Sequence, residues 1–179
     1  MHADDPLLAD GGWREPSSSR TVPVISPTSG ERFASDGTVG RSLGCGRRGV
    51  AAARRALCSP EWAGIGPEER AILLEGLAEE LGKIRAERAA LTTVQNRMPI
   101  GLVQASEGGG PVRLVRLLRR TCPDQPCEVA SALASGCAVV LRPSPETTLT
   151  ALGSATAAKP AGLPTGVLNI GTVGVEIGR

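Results

Sequence analysis

The sequence predicts an α/β fold in which a hairpin and a group of helices lead into a parallel sheet, and three observations predict it. Two short apolar runs, residues 137–141 and 167–170, flank an Ala-rich segment of helix length, the layout of one βαβ unit. Leu74, Leu77, Leu81, Ile84 and Leu91 recur on one side of a helical wheel, with charges opposite. Residues 21–25 form a β-rich run that ends in a turn-forming cluster, residues 26–30.

Taken in order, residues 1–10 are expected to be a loose leader. Residues 11–25 read as a hairpin turning at Ser17, Ser18 and Ser19. Residues 36–46 are glycine-rich with little apolar content, which predicts a loop. Residues 47–58 read as a helix whose apolar face carries Val50, Ala53 and Leu57, ending at Ser59 and Pro60. Pro67 opens the strongest helix, with Glu68 and Glu69 in the first turn where the dipole favours acids. Gly82 is a point at which that segment can divide in two, and its end is expected near Asn96, before Pro99. Residues 101–110 look soft, 112–120 suit a short basic helix, and 121–127 suit a turn. Residues 128–135 form a further helix closed by Gly136.

The crossover follows. The run from Cys137 to Leu141 is apolar without alternation, as for a strand covered on both faces, with Cys137 a buried, inert core residue. Pro143 and Pro145 force the chain out of that strand, and Thr147 or Thr148 is placed to cap the next helix. Gly162 and Pro164 stop it before the second strand. In such units ligands bind at the carboxyl ends of the strands.

Composition narrows the partners. Of 179 residues 41% are hydrophobic but only 2% aromatic, so the core must be mostly aliphatic. The net charge of +2 gives no reason to expect a nucleic-acid or anionic-membrane partner. The basic run from Arg113 to Arg120 reads as a solvated helix face rather than a phosphate patch. No apolar run is long enough to span a bilayer, and the expected setting is soluble and cytoplasmic. Five cysteines without paired spacing fit a reducing compartment. His2 is the single histidine, so no metal site is expected.

The run Val139-Val-Leu-Arg-Pro-Ser-Pro-Glu-Thr147, with Gly162-Leu-Pro-Thr-Gly-Val-Leu-Asn-Ile170 after it, resembles the cofactor-binding half of the aldehyde dehydrogenase superfamily. Upstream, Gly12-Trp13, Val24-Ile25-Ser26-Pro27 and Gly30-Glu31 resemble that family's N-terminal hairpin. The alanine- and arginine-rich stretch 51–56, Pro60-Glu61-Trp62-Ala63 and the segment from Asn96 to Ile100 resemble its early helices. The resemblance implies an incomplete Rossmann-like parallel sheet, NAD(P)-dependent aldehyde oxidation as the family reaction, and NAD or NADP as cofactor. It divides the chain into a leader and hairpin (1–46), a helical segment (47–120) and a partial dinucleotide-binding βαβ unit (128–179).

It also implies site residues. Arg142 stands where the family has a lysine that contacts the adenosine ribose, and Ser144 lies at the same bend. Pro145 replaces a glutamate that in some relatives binds the ribose hydroxyls, which leaves NAD and NADP both open. Gly174 and Gly178 match glycines that let the backbone approach the adenine. No catalytic residue is expected. Residues 119–126 stand in place of a longer segment with a Pro-Trp-Asn loop, and the relatives' glutamate base and cysteine nucleophile lie beyond the position matched by Arg179. None of the chain's five cysteines has a histidine partner to activate it. The sequence therefore reads as a truncated, internally deleted relative, silent on its own. Its partner would be a dinucleotide, with a second copy or a full-length relative left open. The other readings of these residues are a non-catalytic nucleotide-binding or interaction remnant and an unstable truncated product.

Overall fold

The computed structural model describes residues 7–14, 21–37, 43–107, 125–144 and 147–171. The expected basic helix over 112–120, Pro145, Gly174 and Gly178 lie outside them.

Strands β1 (Leu7–Ala9) and β2 (Gly12–Arg14) form a tight hairpin, and β3 (Thr21–Ile25) and β4 (Arg32–Gly37) form a second. Helix α1 spans Leu43–Leu57, α2 Pro60–Ala63, α3 Pro67–Lys83, α4 Arg85–Asn96, α5 Ile100–Glu107 and α6 Gln125–Ala134. Strand β5 (Val139–Leu141), helix α7 (Thr148–Thr156) and strand β6 (Leu168–Gly171) complete the order. Among the described residues the main sheet runs β2-β1-β6-β5, and β3 and β4 make a separate two-stranded sheet. β5 and β6 are parallel, with Val139 opposite Leu168 and Leu141 opposite Ile170, while β1 lies antiparallel on β6. The sheet is thus mixed, its parallel half made by the expected crossover through α7.

Several expectations are corrected. Residues 7–9 are no loose leader: β1 adds to the sheet because Leu8, only 6% exposed, completes an apolar cluster with Leu152, Leu168 and Ile170. The expected turn at Ser17 to Ser19 lies outside the described residues, and the pairs on either side of it are β1 with β2 and β3 with β4, in place of a single hairpin over 11–25. Arg32–Gly37 is strand and Leu43–Leu57 is helix where a loop was expected over 36–46. The soft stretch after Pro99 is the helix Ile100–Glu107, held at its start by Leu102 and Val103 amides donating to the Pro99 carbonyl. Residues 125–127 belong to α6 rather than to a turn.

The inward face of α1 is also different. Of the expected face Ala53 is buried, but Val50 and Leu57 are exposed, and Gly49, Ala52 and Ala56 are buried instead. The helix lies close to the loop that enters β6: a Cβ on Gly166 would stand 2.8 Å from the Ala52 carbonyl oxygen. Small residues at the contact permit that approach.

The leucine stripe holds. Leu74, Leu77 and Leu81 of α3 pack with Trp62, Leu133 and Val167 in the larger core. Trp62 is fully buried and its indole nitrogen donates to the Gly136 carbonyl at 2.9 Å. Gly136, with φ +83°, ends α6 as expected and turns the chain into β5. The α3–α4 division falls at Ile84, two residues past Gly82, and α4 closes on Arg97 in the left-handed region with φ +56°.

Candidate functional site

The parallel pair β5 and β6 sets the site. Val139 donates its amide to Val167 at 2.7 Å, and the chain leaves β5 at Arg142, at the carboxyl end of the strand. Pro143 is buried and both its neighbours, Arg142 and Ser144, are exposed. The proline anchors the bend, which lies at the position where open α/β sheets bind ligands.

The bend is fixed from behind. The Ser144 carbonyl accepts from the Thr147 amide at 3.0 Å and from the Thr148 hydroxyl at 3.1 Å. Thr148 is fully buried. The expected cap thus takes another form: Thr147, at the N-cap, makes no side-chain cap hydrogen bond, and the Thr148 hydroxyl bonds back to the carbonyl four residues earlier. Sequence reasoning singled out Thr148 only as a candidate helix cap; its hold on the Ser144 carbonyl, which positions the bend, was missed. Its signal is a hydroxyl residue four places after Ser144, just where the helix begins.

Helix α7 is held on both sides. Leu149, Ala151, Leu152 and Ala155 are buried, with Ala151, Leu152 and Ala155 in the cluster around Leu168 and Ile170. On its other side Thr150 donates to the Gln95 side-chain oxygen at 2.7 Å and meets the Thr92 hydroxyl at 3.3 Å. This buried polar seam fixes α7 against α4, and hence the start of α7 against the bend.

Asn169, 1% exposed, ties the strands together. Its side-chain amide donates to the Gly166 carbonyl at 2.7 Å and the Val139 carbonyl at 3.2 Å, and its oxygen accepts from the Asp10 amide at 3.3 Å.

Of the four expected cofactor residues, the structure brings Arg142 and Ser144 to one bend; Gly174 and Gly178 are not among the described residues. The donor set fits part of a dinucleotide: a guanidinium and a hydroxyl suit ribose hydroxyls or a phosphate. Cys137 is exposed rather than buried in the core, because it precedes β5 on the turn leaving Gly136. The strand itself is not covered on both faces, since Val140 is 44% exposed. Cys58, just after α1, is also exposed. Among the described residues no group of three or more His, Cys, Asp or Glu could hold a metal ion, and no helix is long and apolar enough to cross a membrane.

The aldehyde dehydrogenase family profile matches residues 126–179, which include this bend. The chain is 29% identical to an aminoacetaldehyde dehydrogenase of Pseudomonas aeruginosa, with 90% of this chain and 39% of the relative aligned. It is 29% identical to a chloroplastic betaine aldehyde dehydrogenase of Beta vulgaris, over 93% of this chain and 41% of the relative. Among solved structures, a gamma-glutamyl-gamma-aminobutyraldehyde dehydrogenase from Burkholderia cenocepacia superposes with a TM-score of 0.83 at 26% identity, covering 99% of this chain and 43% of that one. A betaine aldehyde dehydrogenase from Staphylococcus aureus, solved with NAD+, gives 0.86 at 21% identity over 99% of this chain and 43% of its own, a likeness of fold. The chain spans about two fifths of the length of the curated relatives it matches.

Proposed function

We propose that the chain is a dinucleotide-binding part of the aldehyde dehydrogenase fold, a reading supported by the family profile over residues 126–179 and by relatives 29% identical to it. The ligand is NAD or NADP, held at its adenosine end by Arg142 and Ser144. The observation that carries this reading is the parallel β5–α7–β6 crossover with both residues exposed at the carboxyl end of β5. Arg142 supplies a fixed positive charge and a planar set of donors. Ser144 supplies a hydroxyl on a bend held by Thr148. Gly174 and Gly178 belong to the same proposed site through the family resemblance.

The family reaction, NAD(P)-dependent oxidation of an aldehyde to a carboxylic acid, is the proposed context. When bound, the cofactor supplies the hydride acceptor. The chain's own contribution is binding and orientation, and it does not carry out the oxidation alone. The cysteines support this: the only histidine in the sequence is His2, so no Cys–His pair built on another histidine exists to generate a thiolate. The proposed compartment is the cytoplasm, from the unpaired cysteines Cys58 and Cys137.

Calorimetric titration of the full chain with NAD, NADP and AMP tests the reading. Binding of AMP and of at least one dinucleotide is expected, and no heat with any of the three overturns it. Incubation with a panel of aldehydes and either cofactor tests the silent part; reduced cofactor produced by the purified chain would refute it.

A further inference from the structure

We infer that Asp10–Gly11 is a site of spontaneous covalent modification, isoaspartate formation through a succinimide, and that Arg55 restrains it. The two residues are the entire turn between β1 and β2, since Ala9 pairs with Gly12. Both are exposed. Gly11 has no side chain to shield its amide nitrogen. Asp10 has φ +58°, and with Arg97 is one of two non-glycine residues of positive φ among the described residues. The turn suits a hairpin, yet it keeps an L-residue in a region that costs free energy.

The reaction balances without a co-reactant other than water. The Gly11 nitrogen bonds to the Asp10 side-chain carbonyl carbon, its proton passes to solvent, and a carboxyl oxygen leaves as water. Water then adds to the ring. Addition at the side-chain carbonyl restores aspartate. Addition at the main-chain carbonyl breaks the original peptide bond and leaves the chain running through the side chain, one methylene longer. Mass returns to its starting value and nothing is oxidised or reduced. The ring also loses its α-proton readily, and reprotonation on the opposite side gives a D-residue, for which positive φ is the favoured region.

The position gives the change a consequence. The Asp10 amide donates to Asn169 at 3.3 Å, and its carboxylate meets the Arg55 guanidinium of α1 at 2.9 Å. Leu8, two residues away, is buried on β6. Lengthening the two-residue turn breaks the Ala9–Gly12 register and loosens the hairpin from both α1 and β6. The Arg55 pair draws the carboxylate towards α1. Its side chains are 63% and 43% exposed, so the restraint is modest.

Warm incubation of the full chain near neutral pH, followed by enzymatic isoaspartyl methyl labelling and peptide mapping, tests the proposal. Label is expected at residue 10, absent in Asp10→Glu, and accumulating several-fold faster in Arg55→Ala than in the wild type. Arg55→Lys, which keeps the charge, should stay near the wild-type rate. No label at residue 10, under conditions in which a synthetic peptide of residues 7–14 converts, overturns the site. Equal rates in wild type and Arg55→Ala overturn the restraint. Hydrogen exchange of the converted protein should be faster over Leu7–Ala9, and unchanged protection there would overturn the loosening.

Discussion

Asn169 donates its side-chain amide to the main-chain carbonyl of Val139, on the neighbouring parallel strand, at 3.2 Å. The same amide donates to Gly166 at 2.7 Å, so one buried polar side chain braces β5, β6 and the loop that enters β6. A buried polar group in an aliphatic layer is favourable only when satisfied, and this one is satisfied in both its donor and acceptor roles.

Asn169→Ala is therefore expected to lower stability by roughly 2–4 kcal/mol, because it leaves the Gly166 carbonyl without that donor and opens a small void. Asn169→Asp should be at least as costly, since it replaces the donor by a charge in the same buried place. Urea unfolding checks this. A midpoint shift equivalent to less than about 0.5 kcal/mol in Asn169→Ala would show that the bracing is unimportant.

Two glycines should respond with opposite sign to the same change. Gly166 has φ +83°, and a Cβ there would stand 2.8 Å from the Ala52 carbonyl oxygen of α1. Backbone cannot yield as a flexible side chain can, so Gly166→Ala is expected to cost about 2–4 kcal/mol from strain and clash together. Gly82 in α3 has nothing within 4 Å of its would-be Cβ. Gly82→Ala should stabilise by about 0.5–1 kcal/mol through helix propensity. Thermal melts of the two variants beside the wild type decide it, and shifts of the same sign would contradict the packing described.

Trp62 offers a separate test of the larger core. It is fully buried and bonded to Gly136, whereas Trp13 is 39% exposed. Trp62→Phe should cost roughly 1–3 kcal/mol, mainly by leaving the Gly136 carbonyl unpaired, and Trp62→Ala roughly 3–5 kcal/mol. The blue-shifted part of the native fluorescence should disappear in both variants. A native spectrum unchanged in Trp62→Phe would mean that Trp13 is the shielded indole.

These tests also mark where sequence reasoning succeeds. The α3 stripe was legible because Leu74, Leu77 and Leu81 keep one helical face over several turns. The crossover was legible because Pro143 and Gly162 punctuate it at both ends of α7. The inward face of α1 was only partly legible, because Gly49, Ala52 and Ala56 are small and hydrophobicity ranks them below the exposed Val50 and Leu57. Strand β1 was not legible, because three residues are too few to show alternation and its pairing with β6 joins residues more than 150 positions apart. The sequence put Arg142 and Ser144 just past the strand of the crossover, and the structure has both exposed on one bend there. The hydroxyl bond that fixes their bend depends on helix geometry behind it and became visible only with α7 in place.

The bend provides the last prediction. Arg142 and Ser144 are exposed on this bend, and replacing either should weaken the ligand. For Arg142→Ala a loss of about tenfold in dinucleotide affinity is expected, near 1.4 kcal/mol, as for removal of a charge-assisted contact at an open site. Arg142→Lys keeps the charge but not the planar fork and should recover part of that loss. Thr148→Val keeps the buried shape and removes the hydroxyl that holds the Ser144 carbonyl. It should weaken binding as well as stability, because the bend loses its fixed geometry. Titration of NAD and NADP against all three variants separates these effects. If Arg142→Ala binds both dinucleotides as the wild type does, the ligand does not touch this bend, and the carboxyl end of β5 is a structural corner.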